Sequence, residues 1–360
     1  MTGTTKHVHW ASKWRCPSNI ALVKYWGKRD FQKPMNPSLS FVLQNAFTET
    51  SVELLKEGDR KVEFYFEGEA SDFGERIEKY LYNVASQMSW INKYNFRIHS
   101  HNSFPHSAGI ASSASSFGAL ALCLAEIDFA ISGKEPDHPD LWLKASEIAR
   151  LGSGSACRSV YPGFSIWGQT QLFESCSDEH AIMVYEGIHS IFYGLRDAIL
   201  MVDSGAKKVS SSVGHELMNE HIYQRSRIAQ ANQNINELYL ALLTGNLDSF
   251  IEVVENEALS LHAMMMTSNP SFILLKPNSL ELISRIRRFR EKAKIPVCFT
   301  IDAGPNIHLL YFKKNELDVK AFIERELLEF CEYGNWIDDR IGKGPVRIEA
   351  SPQPPPKEGA

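Results

Sequence analysis

Closely spaced cysteines are absent from this sequence. Six cysteines are spread over 360 residues, and no two of them stand in a Cys-x-x-Cys spacing. This usage argues against a cysteine-rich zinc site and against a disulfide framework, and it is typical of a reducing compartment. The first residues, MTGTTKHVHWASKW, contain no apolar run like that of a signal peptide, and no uninterrupted apolar segment approaches the about 18 residues of a membrane span. We therefore expect a cytoplasmic protein with no membrane partner.

The sequence has no excess of positively charged residues. The chain has 38 Lys and Arg residues against 43 Asp and Glu, a net charge of −5, so no global positive field would attract nucleic acid or anionic lipid. The densest basic run covers residues 285–294, where Leu282, Ile286 and Phe289 recur at helical spacing. This pattern predicts an amphipathic helix whose basic side faces water. We expect no nucleic-acid partner.

The order of the predicted elements indicates an α+β protein of two domains. Short β-rich segments fill the first hundred residues and are interrupted by one amphipathic helix over residues 72–88. Helical periods follow from Phe117 and over residues 139–150, and strands return at FSIWG, AIMVYEG and AILMVDS. With 44% hydrophobic residues, the chain is long enough to build two cores.

The second half of the chain begins with longer helices. Helical patterns over residues 212–244 and 247–266 are separated by Gly-Asn, which marks a helix end. The basic helix, the strands VCFTIDAG and IHLLYF, a helix and the strand-like VRIEA follow. We expect an N-terminal domain over residues 1–200, a C-terminal domain over 201–350 and a flexible tail over 351–360, SPQPPPKEGA.

The small, polar segment PHSAGIASSASSF, residues 105–117, leads into a helix. Its small residues leave backbone N–H groups open to a ligand, and the helix dipole adds positive potential, so the segment could bind phosphate. The hydroxyls of Ser112, Ser113, Ser115 and Ser116 could contact phosphate or hold a hydrated Mg²⁺. No Walker A pattern is present. Alternatively, the serines only cap their own helix.

Glycines and one arginine mark a second candidate anion site in ARLGSGSACRS, residues 149–159. Gly152 and Gly154 permit close approach of the backbone, and the planar guanidinium of Arg158 suits a carboxylate or phosphate. The alternative is a glycine-rich connection with a surface arginine.

Two further segments place charged groups at predicted strand ends. In NIALVKYWGKRD, Lys24 and Lys28 flank Tyr25 and Trp26, so ammonium and aromatic groups could face one ligand; an edge strand with lysines in water is the alternative. In FTIDAGPNIHLL, Asp302 follows an apolar strand and precedes a tight turn, which favours chemistry there or a turn-forming role.

Together these segments, with NPSLS and KKVSSSVGH, resemble the diphosphomevalonate decarboxylases, a branch of the GHMP small-molecule kinase superfamily. The resemblance spans about residues 15–312, in the family's order and spacing. The serine-rich loop is common to the superfamily, whereas KYWGK, GSGSACRS and DAGPN are specific to the decarboxylases. The resemblance implies the two-domain GHMP fold, with an N-terminal domain like ribosomal S5 domain 2 and a ferredoxin-like C-terminal domain. It also implies ATP and Mg²⁺ as cofactors and a homodimer.

The family's reaction phosphorylates the 3-hydroxyl of mevalonate 5-diphosphate and then eliminates phosphate and CO₂ to leave isopentenyl diphosphate. By resemblance Asp302 is the general base, Lys24 keeps it ionised, Arg158 holds the substrate carboxylate, and Ser212 completes the catalytic group. The resemblance assigns substrate binding to Tyr25, Trp26, Lys28, Ser153, Gly154, Ser155, Arg158, Ser211, His215 and Ala303. It assigns nucleotide binding to Pro105, Ser107, Ala108, Gly109, Ile110, Ala111, Ser112, Ser113 and Ser115, with Ser113 as the metal ligand.

The chain departs from the family pattern at several positions. Ser212 replaces a threonine or arginine, which would weaken contact with a distal phosphate if an arginine is lost. His215 replaces a methionine and either contacts phosphate or packs; His106 and Ser107 leave the nucleotide preference open. His262 is interpreted first as a packing residue among methionines.

Three rival functions stay open on the sequence alone. A mevalonate 5-phosphate decarboxylase would use the same fold with one phosphate fewer. A mevalonate 3-kinase is disfavoured because those relatives lack the aspartate and lysine that this chain keeps. A silent ligand-binding protein is disfavoured because Asp302, Lys24 and Arg158 are all present.

Overall fold

The protein is described from a computed structural model, which covers residues 9–58, 60–104, 110–135, 137–205 and 211–349. The strands are β1 (Trp10–Val23), β2 (Ser38–Glu57), β3 (Val62–Phe66), β4 (Glu69–Ala70), β5 (Tyr94–Asn102), β6 (Phe164–Trp167), β7 (Ala181–Val184), β8 (Leu195–Leu200), β9 (Cys298–Thr300), β10 (Ile307–Phe312), β11 (Trp336–Arg340) and β12 (Val346–Ile348). The helices are α1 (Gly74–Val84), α2 (Ser112–Ile131), α3 (Asp140–Gly152), α4 (Ala156–Ser159), α5 (Ser211–Glu216), α6 (Gln224–Thr244), α7 (Leu247–Met266), α8 (Pro277–Ala293) and α9 (Glu316–Phe322).

The described strands form two sheets. The first has eight strands in the order β12-β1-β2-β5-β3-β4, with β6 paired to β2 and β7 to β6. The second has four strands in the order β11-β8-β10-β9. Helices cover both sheets, so the predicted α+β architecture of two domains is confirmed.

Helix α2 forms the centre of the first domain. It packs against β1, β2 and α3, and its side chains from Phe117 to Phe129 are almost all buried in one apolar cluster with the first sheet. By length and composition α2 could cross a membrane, but 78% of its most apolar window is buried within the protein. This burial is that of a core helix, which explains why α2 is apolar on all sides.

The second sheet packs against α7, α8 and α9, and the two halves of the chain share a continuous apolar core. Ile235 and Leu238 of α6 lie in the same cluster as Ile20 and Leu39 of the first sheet. Strand β12 then returns to the first sheet, where it pairs antiparallel with β1. The domain limits proposed from the sequence stay a prediction, although this last strand belongs to the first sheet.

Two predicted elements differ from the structure. The pattern over residues 212–244 is not one helix, because α5 and α6 are separated by a turn in which Gln224 Nε2 donates to the Met218 and Asn219 carbonyls at 2.6 and 2.9 Å. Among the short β-rich segments of the first hundred residues, the sequence suggests two separate strands, SLSFVL (residues 38–43) and TETSVELL (residues 48–55), but both are parts of β2. Between them the Asp339 carboxylate accepts three N–H groups of residues 44–46, so the chain crosses a turn-prone stretch without leaving the sheet.

Candidate active site

A cavity of about 380 Å³ lies between the two halves of the chain. It is enclosed by the segment after β1, the N-terminus of α2, the α3–α4 turn, α5, α7 and the segment after β9. The structure brings to this cavity most of the residues selected from the sequence, namely Lys24, Tyr25, Trp26, Lys28, Ile110, Ala111, Ser112, Ser113, Ser153, Gly154, Ser155, Arg158, His215, Asp302 and Ala303. Five segments far apart in the sequence therefore form one site.

The central charges of the cavity are Lys24 and Asp302. Lys24 Nζ lies 2.7 Å from Asp302 Oδ1, and the two side chains are 2% and 23% exposed. Lys24 is the first residue after β1, and Asp302 is the second residue after β9, so each follows a rigid strand. An ammonium this close favours the ionised carboxylate, which can then accept a proton from a ligand.

His262 contacts the main chain of Asp302. Its Nε2 atom lies 3.1 Å from the Asp302 carbonyl oxygen, to which Nε2–H donates a hydrogen bond. Burial lowers the pKa of His262 to about 4, so the ring is neutral at physiological pH. The histidine therefore makes a specific polar contact besides the packing expected from the sequence.

Arg158 is a buried cation with no carboxylate partner among the residues that the structure describes. Its Nε donates to Asn19 Oδ1 at 3.2 Å, one Nη donates to Ser38 Oγ, and the guanidinium lies 5.9 Å from the Trp167 ring. Burial lowers the pKa of Arg158, but a guanidinium remains protonated. An anionic ligand group in the cavity would compensate this oriented charge.

The Gly-Ser turn after α3 fits closely against Tyr25. A Cβ atom on Gly154 would lie 2.7 Å from the Tyr25 hydroxyl, so the turn has no room for a side chain there. The Ser153 and Ser113 hydroxyls lie 3.2 Å apart, which joins this turn to the start of α2. The Tyr25 hydroxyl is buried without a hydrogen-bond partner in the described part of the chain, and burial raises its pKa, so it can donate to a ligand.

His215 is fixed in one tautomer. Its Nδ1 accepts the Gly27 N–H at 3.0 Å, and its ring lies 4.3 Å from Tyr25 and 4.7 Å from Trp26. Burial, with smaller contributions from nearby cations, lowers the pKa of His215 to about 3. The neutral ring therefore carries its proton on Nε2. The ring is therefore packed against two aromatic residues and also lines the cavity, and its contact with a phosphate stays a prediction.

The start of α2 opens toward the cavity. Ala111 precedes the helix in the left-handed conformation with φ 45°, and Ser18 Oγ donates to the Ile110 carbonyl. Ser112 and Ser113 line the cavity. The structure does not bring Ser115 there, because its buried hydroxyl bonds Thr48 Oγ1 at 2.6 Å and the Ser112 carbonyl.

Some residues chosen from the sequence cannot be placed. Pro105, Ser107, Ala108 and Gly109, with the neighbouring His106, lie outside the described residues, as do the side chains of Ser211 and Ser212. Within the described residues, no group of three His, Cys, Asp or Glu side chains could hold a metal ion. A metal bound mainly by ligand phosphates and hydroxyl oxygens needs no such cluster.

A second cavity of about 450 Å³ adjoins the first and was not anticipated from the sequence. The two cavities share Arg76, Ser112 and Ser113, and the walls of the second include Phe64 and Phe66 of β3. The Arg76 guanidinium lies 5.0 Å from the Phe117 ring, at the junction of the two cavities. In the sequence these aromatic residues have only the pattern of a strand and a helix, which does not distinguish a cavity wall from a core.

Comparison with known proteins identifies relatives over nearly the whole chain. The family descriptions "Diphosphomevalonate decarboxylase-like N-terminal domain" and "Mevalonate 5-diphosphate decarboxylase C-terminal domain" match residues 16–178 and 198–341. A diphosphomevalonate decarboxylase of Gibberella zeae is 31% identical, over 84% of this chain and 81% of that protein. A phosphomevalonate decarboxylase of Haloferax volcanii is 29% identical, over 80% and 84%. The structure of "MDDEF in complex with MVAPP, AMPPCP and Magnesium" matches with a TM-score of 0.80 and 29% identity, over 94% of this chain and 99% of that one.

Proposed function

Because the chain belongs to the diphosphomevalonate decarboxylase family, we propose that it converts mevalonate 5-diphosphate and ATP to isopentenyl diphosphate, ADP, phosphate and CO₂. The observation that carries this proposal is the ion pair of Lys24 and Asp302 in one cavity with the buried Arg158, which makes no salt bridge to another described residue. A base and a carboxylate-binding cation are the two groups that the reaction requires.

The first step is phosphorylation of the 3-hydroxyl group. A tertiary alcohol is crowded and weakly nucleophilic, so a carboxylate must orient it and accept its proton. Asp302 takes this role, and Lys24 keeps its carboxylate ionised. The hydroxyl oxygen then bonds to the terminal phosphorus atom of ATP, and ADP leaves with the electron pair of the broken P–O bond.

The second step is the loss of phosphate and CO₂. The electrons of the bond between C1 and C2 form the C2–C3 double bond, and the C3–O bond breaks with its electrons on the departing phosphate. Arg158 fixes the C1 carboxylate for this step, since hydrogen bonds to Asn19 and Ser38 already orient its guanidinium group. Asp302, whose side chain is 23% exposed, first releases the accepted proton to water, and its carboxylate then stabilises the positive charge that develops at C3.

The N-terminus of α2 binds the phosphates of ATP in this proposal. Its first turn combines open amides with the hydroxyls of Ser112 and Ser113, a suitable lining for phosphate and a hydrated cation. Mg²⁺, with Ser113 as its proposed ligand, would neutralise charge on the phosphates. The adjoining cavity between Phe64, Phe66 and Phe117 would receive the adenine ring, with Arg76 at the phosphate side.

The monophosphate is the second candidate substrate, and the Haloferax volcanii relative is the observation that favours it. The diphosphate is preferred because both matched family descriptions name diphosphomevalonate decarboxylases and the solved complex contains MVAPP.

We further propose a cytoplasmic homodimer. Sedimentation equilibrium should then give twice the chain mass of 40.7 kDa, and a monomer would contradict the proposal.

The direct test measures ADP and CO₂ with ATP and Mg²⁺, in parallel on mevalonate 5-diphosphate and mevalonate 5-phosphate. We expect equal amounts of ADP and CO₂ from the diphosphate and at least tenfold lower kcat/KM for the monophosphate, because a charged phosphate contact contributes about 1.5–3 kcal/mol. The reverse preference would make the protein a monophosphate decarboxylase. Formation of ADP without CO₂ would make it a 3-kinase. No ADP and no CO₂ from either substrate would favour a ligand-binding protein.

A further inference from the structure

A buried network behind Lys24 holds its main chain. Glu257 of α7 is fully buried, and its Oε2 accepts the Lys24 N–H at 2.8 Å. Arg227 of α6 donates to both Glu257 oxygens, at 2.8 and 2.5 Å, and to the Lys24 carbonyl at 3.3 Å. Both polar groups of the Lys24 main chain are therefore bonded to one ion pair.

Two amides complete this network, which we call the Lys24 anchor: Glu257, Arg227, Asn234 and Asn36. Asn234 Nδ2 donates to Glu257 Oε1 at 2.6 Å, and Asn36 Nδ2 donates to the Lys24 carbonyl at 3.0 Å. Burying an ion pair costs desolvation free energy, and apolar residues of the same volume often stabilise a protein equally well. The anchor is thus poorly explained by stability alone, and a positional role accounts for its placement.

Helix α7 also contacts the main chain of Asp302. Five residues after Glu257, His262 donates to the Asp302 carbonyl at 3.1 Å. The two members of the catalytic ion pair follow strands of different sheets, β1 and β9, and are 278 residues apart in the sequence. One helix therefore provides a common support for both.

We propose that Glu257, supported by Arg227, and His262 are positioning residues that keep Lys24 and Asp302 in hydrogen-bond contact by holding both main chains against helix α7. The effect on turnover rests on the proposed function, because misplacement of about 1 Å at a reacting group can lower a rate about 100-fold. Neither positioning residue was selected for this role from the sequence.

The test compares Glu257→Gln with Glu255→Gln. Glu255 lies on the same helix, is also buried and also pairs with arginines, Arg287 and Arg290, but it does not contact Lys24. Both variants should lower the melting temperature. We expect kcat to fall about 10- to 100-fold in Glu257→Gln with KM changed less than about threefold, and to stay within about twofold of wild type in Glu255→Gln.

A second readout does not depend on turnover. Native protein is treated with an amine-reactive reagent, and labelling of Lys24 is quantified by peptide mass spectrometry relative to the exposed lysines. Lys24, 2% exposed and paired, should be protected in wild type and in Glu255→Gln but labelled at least about tenfold faster in Glu257→Gln. If wild type has no turnover, the proposed function fails while this labelling still decides the positioning role.

Asn234→Ala keeps the test decisive if Glu257→Gln does not fold, because it removes the amide that donates to Glu257 Oε1 but leaves the Glu257–Arg227 ion pair and the hydrogen bond from the Lys24 N–H to Glu257. We expect about three- to tenfold lower kcat and faster Lys24 labelling in this variant. Equal Lys24 labelling in the folded anchor variant and in Glu255→Gln would overturn the inference, as would equal kcat in an active enzyme.

Discussion

Asp302→Asn is the most informative single substitution, because it preserves shape and removes the charge of the proposed base. The Asp302–Lys24 distance of 2.7 Å gives a gross attraction of about 6 kcal/mol at an effective dielectric constant of 20. The asparagine oxygen can still accept a hydrogen bond from Lys24, and the site opens to a cavity, so the expected loss of unfolding free energy is only about 1–3 kcal/mol.

Asp302→Asn should lower kcat much more than it lowers the free energy of unfolding. Loss of general-base catalysis together with loss of the negative charge near C3 should lower kcat about 10³- to 10⁴-fold, equivalent to about 4–5.5 kcal/mol. Coupled detection of ADP and CO₂ measures kcat, titration calorimetry checks that ATP still binds, and urea unfolding gives the stability.

Asp203→Asn is a matched control for this experiment. Asp203 also pairs with a lysine, Lys276, and its side chain is 27% exposed against 23% for Asp302, but it does not line the cavity. We expect this control to keep kcat within about twofold. Asp302→Asn with kcat within about tenfold of wild type would refute the general-base role, because such catalysis contributes at least about 10²-fold.

Three other predictions follow from single contacts. Gly154→Ala should displace the Tyr25 and Trp167 side chains, because its Cβ atom would lie 2.7 and 2.8 Å from them, and should therefore raise KM about tenfold and lower the melting temperature; unchanged KM would mean that the turn does not contact substrate. His215→Met removes the acceptor of a buried main-chain N–H and should cost about 1–3 kcal/mol in urea unfolding, which equal stability would contradict. Burial alone would lower the pKa of His308, but Asp197, 2.8 Å away, raises it above the usual 6.5. The pair of protonated His308 and Asp197 therefore stabilises the folded protein fully below about pH 6.5, and this contribution is lost as the pH rises through the folded-state pKa of His308. Asp197→Asn should abolish that decline in stability between about pH 6 and 9. A parallel decline in both proteins would disprove the prediction.

Local signals were sufficient for several elements. The predicted helix over residues 247–266 agrees with α7 because Gly245 adopts φ 74° at the end of α6 and Asn246 caps α7 by accepting the Ser249 N–H. The motif order likewise led to the family that the comparisons identify. Local periodicity was wrong over residues 212–244, where a tertiary hydrogen bond between His221 and the Met264 carbonyl and a local one from Gln224 to the Met218 carbonyl hold a turn.

Short sequence motifs are enough to identify the chemical groups of the site: an aspartate and a lysine at strand ends, an arginine beside a Gly-Ser turn, and a serine-rich helix start. Which of these groups meet depends on the folded chain. It pairs Lys24 with Asp302 across 278 residues, supports both from α7, and directs the Ser115 hydroxyl away from the cavity toward Thr48. The physical reason is that burial and hydrogen-bond satisfaction at such contacts depend on elements brought together by the whole core, whereas caps and periodicity depend on neighbours a few residues away.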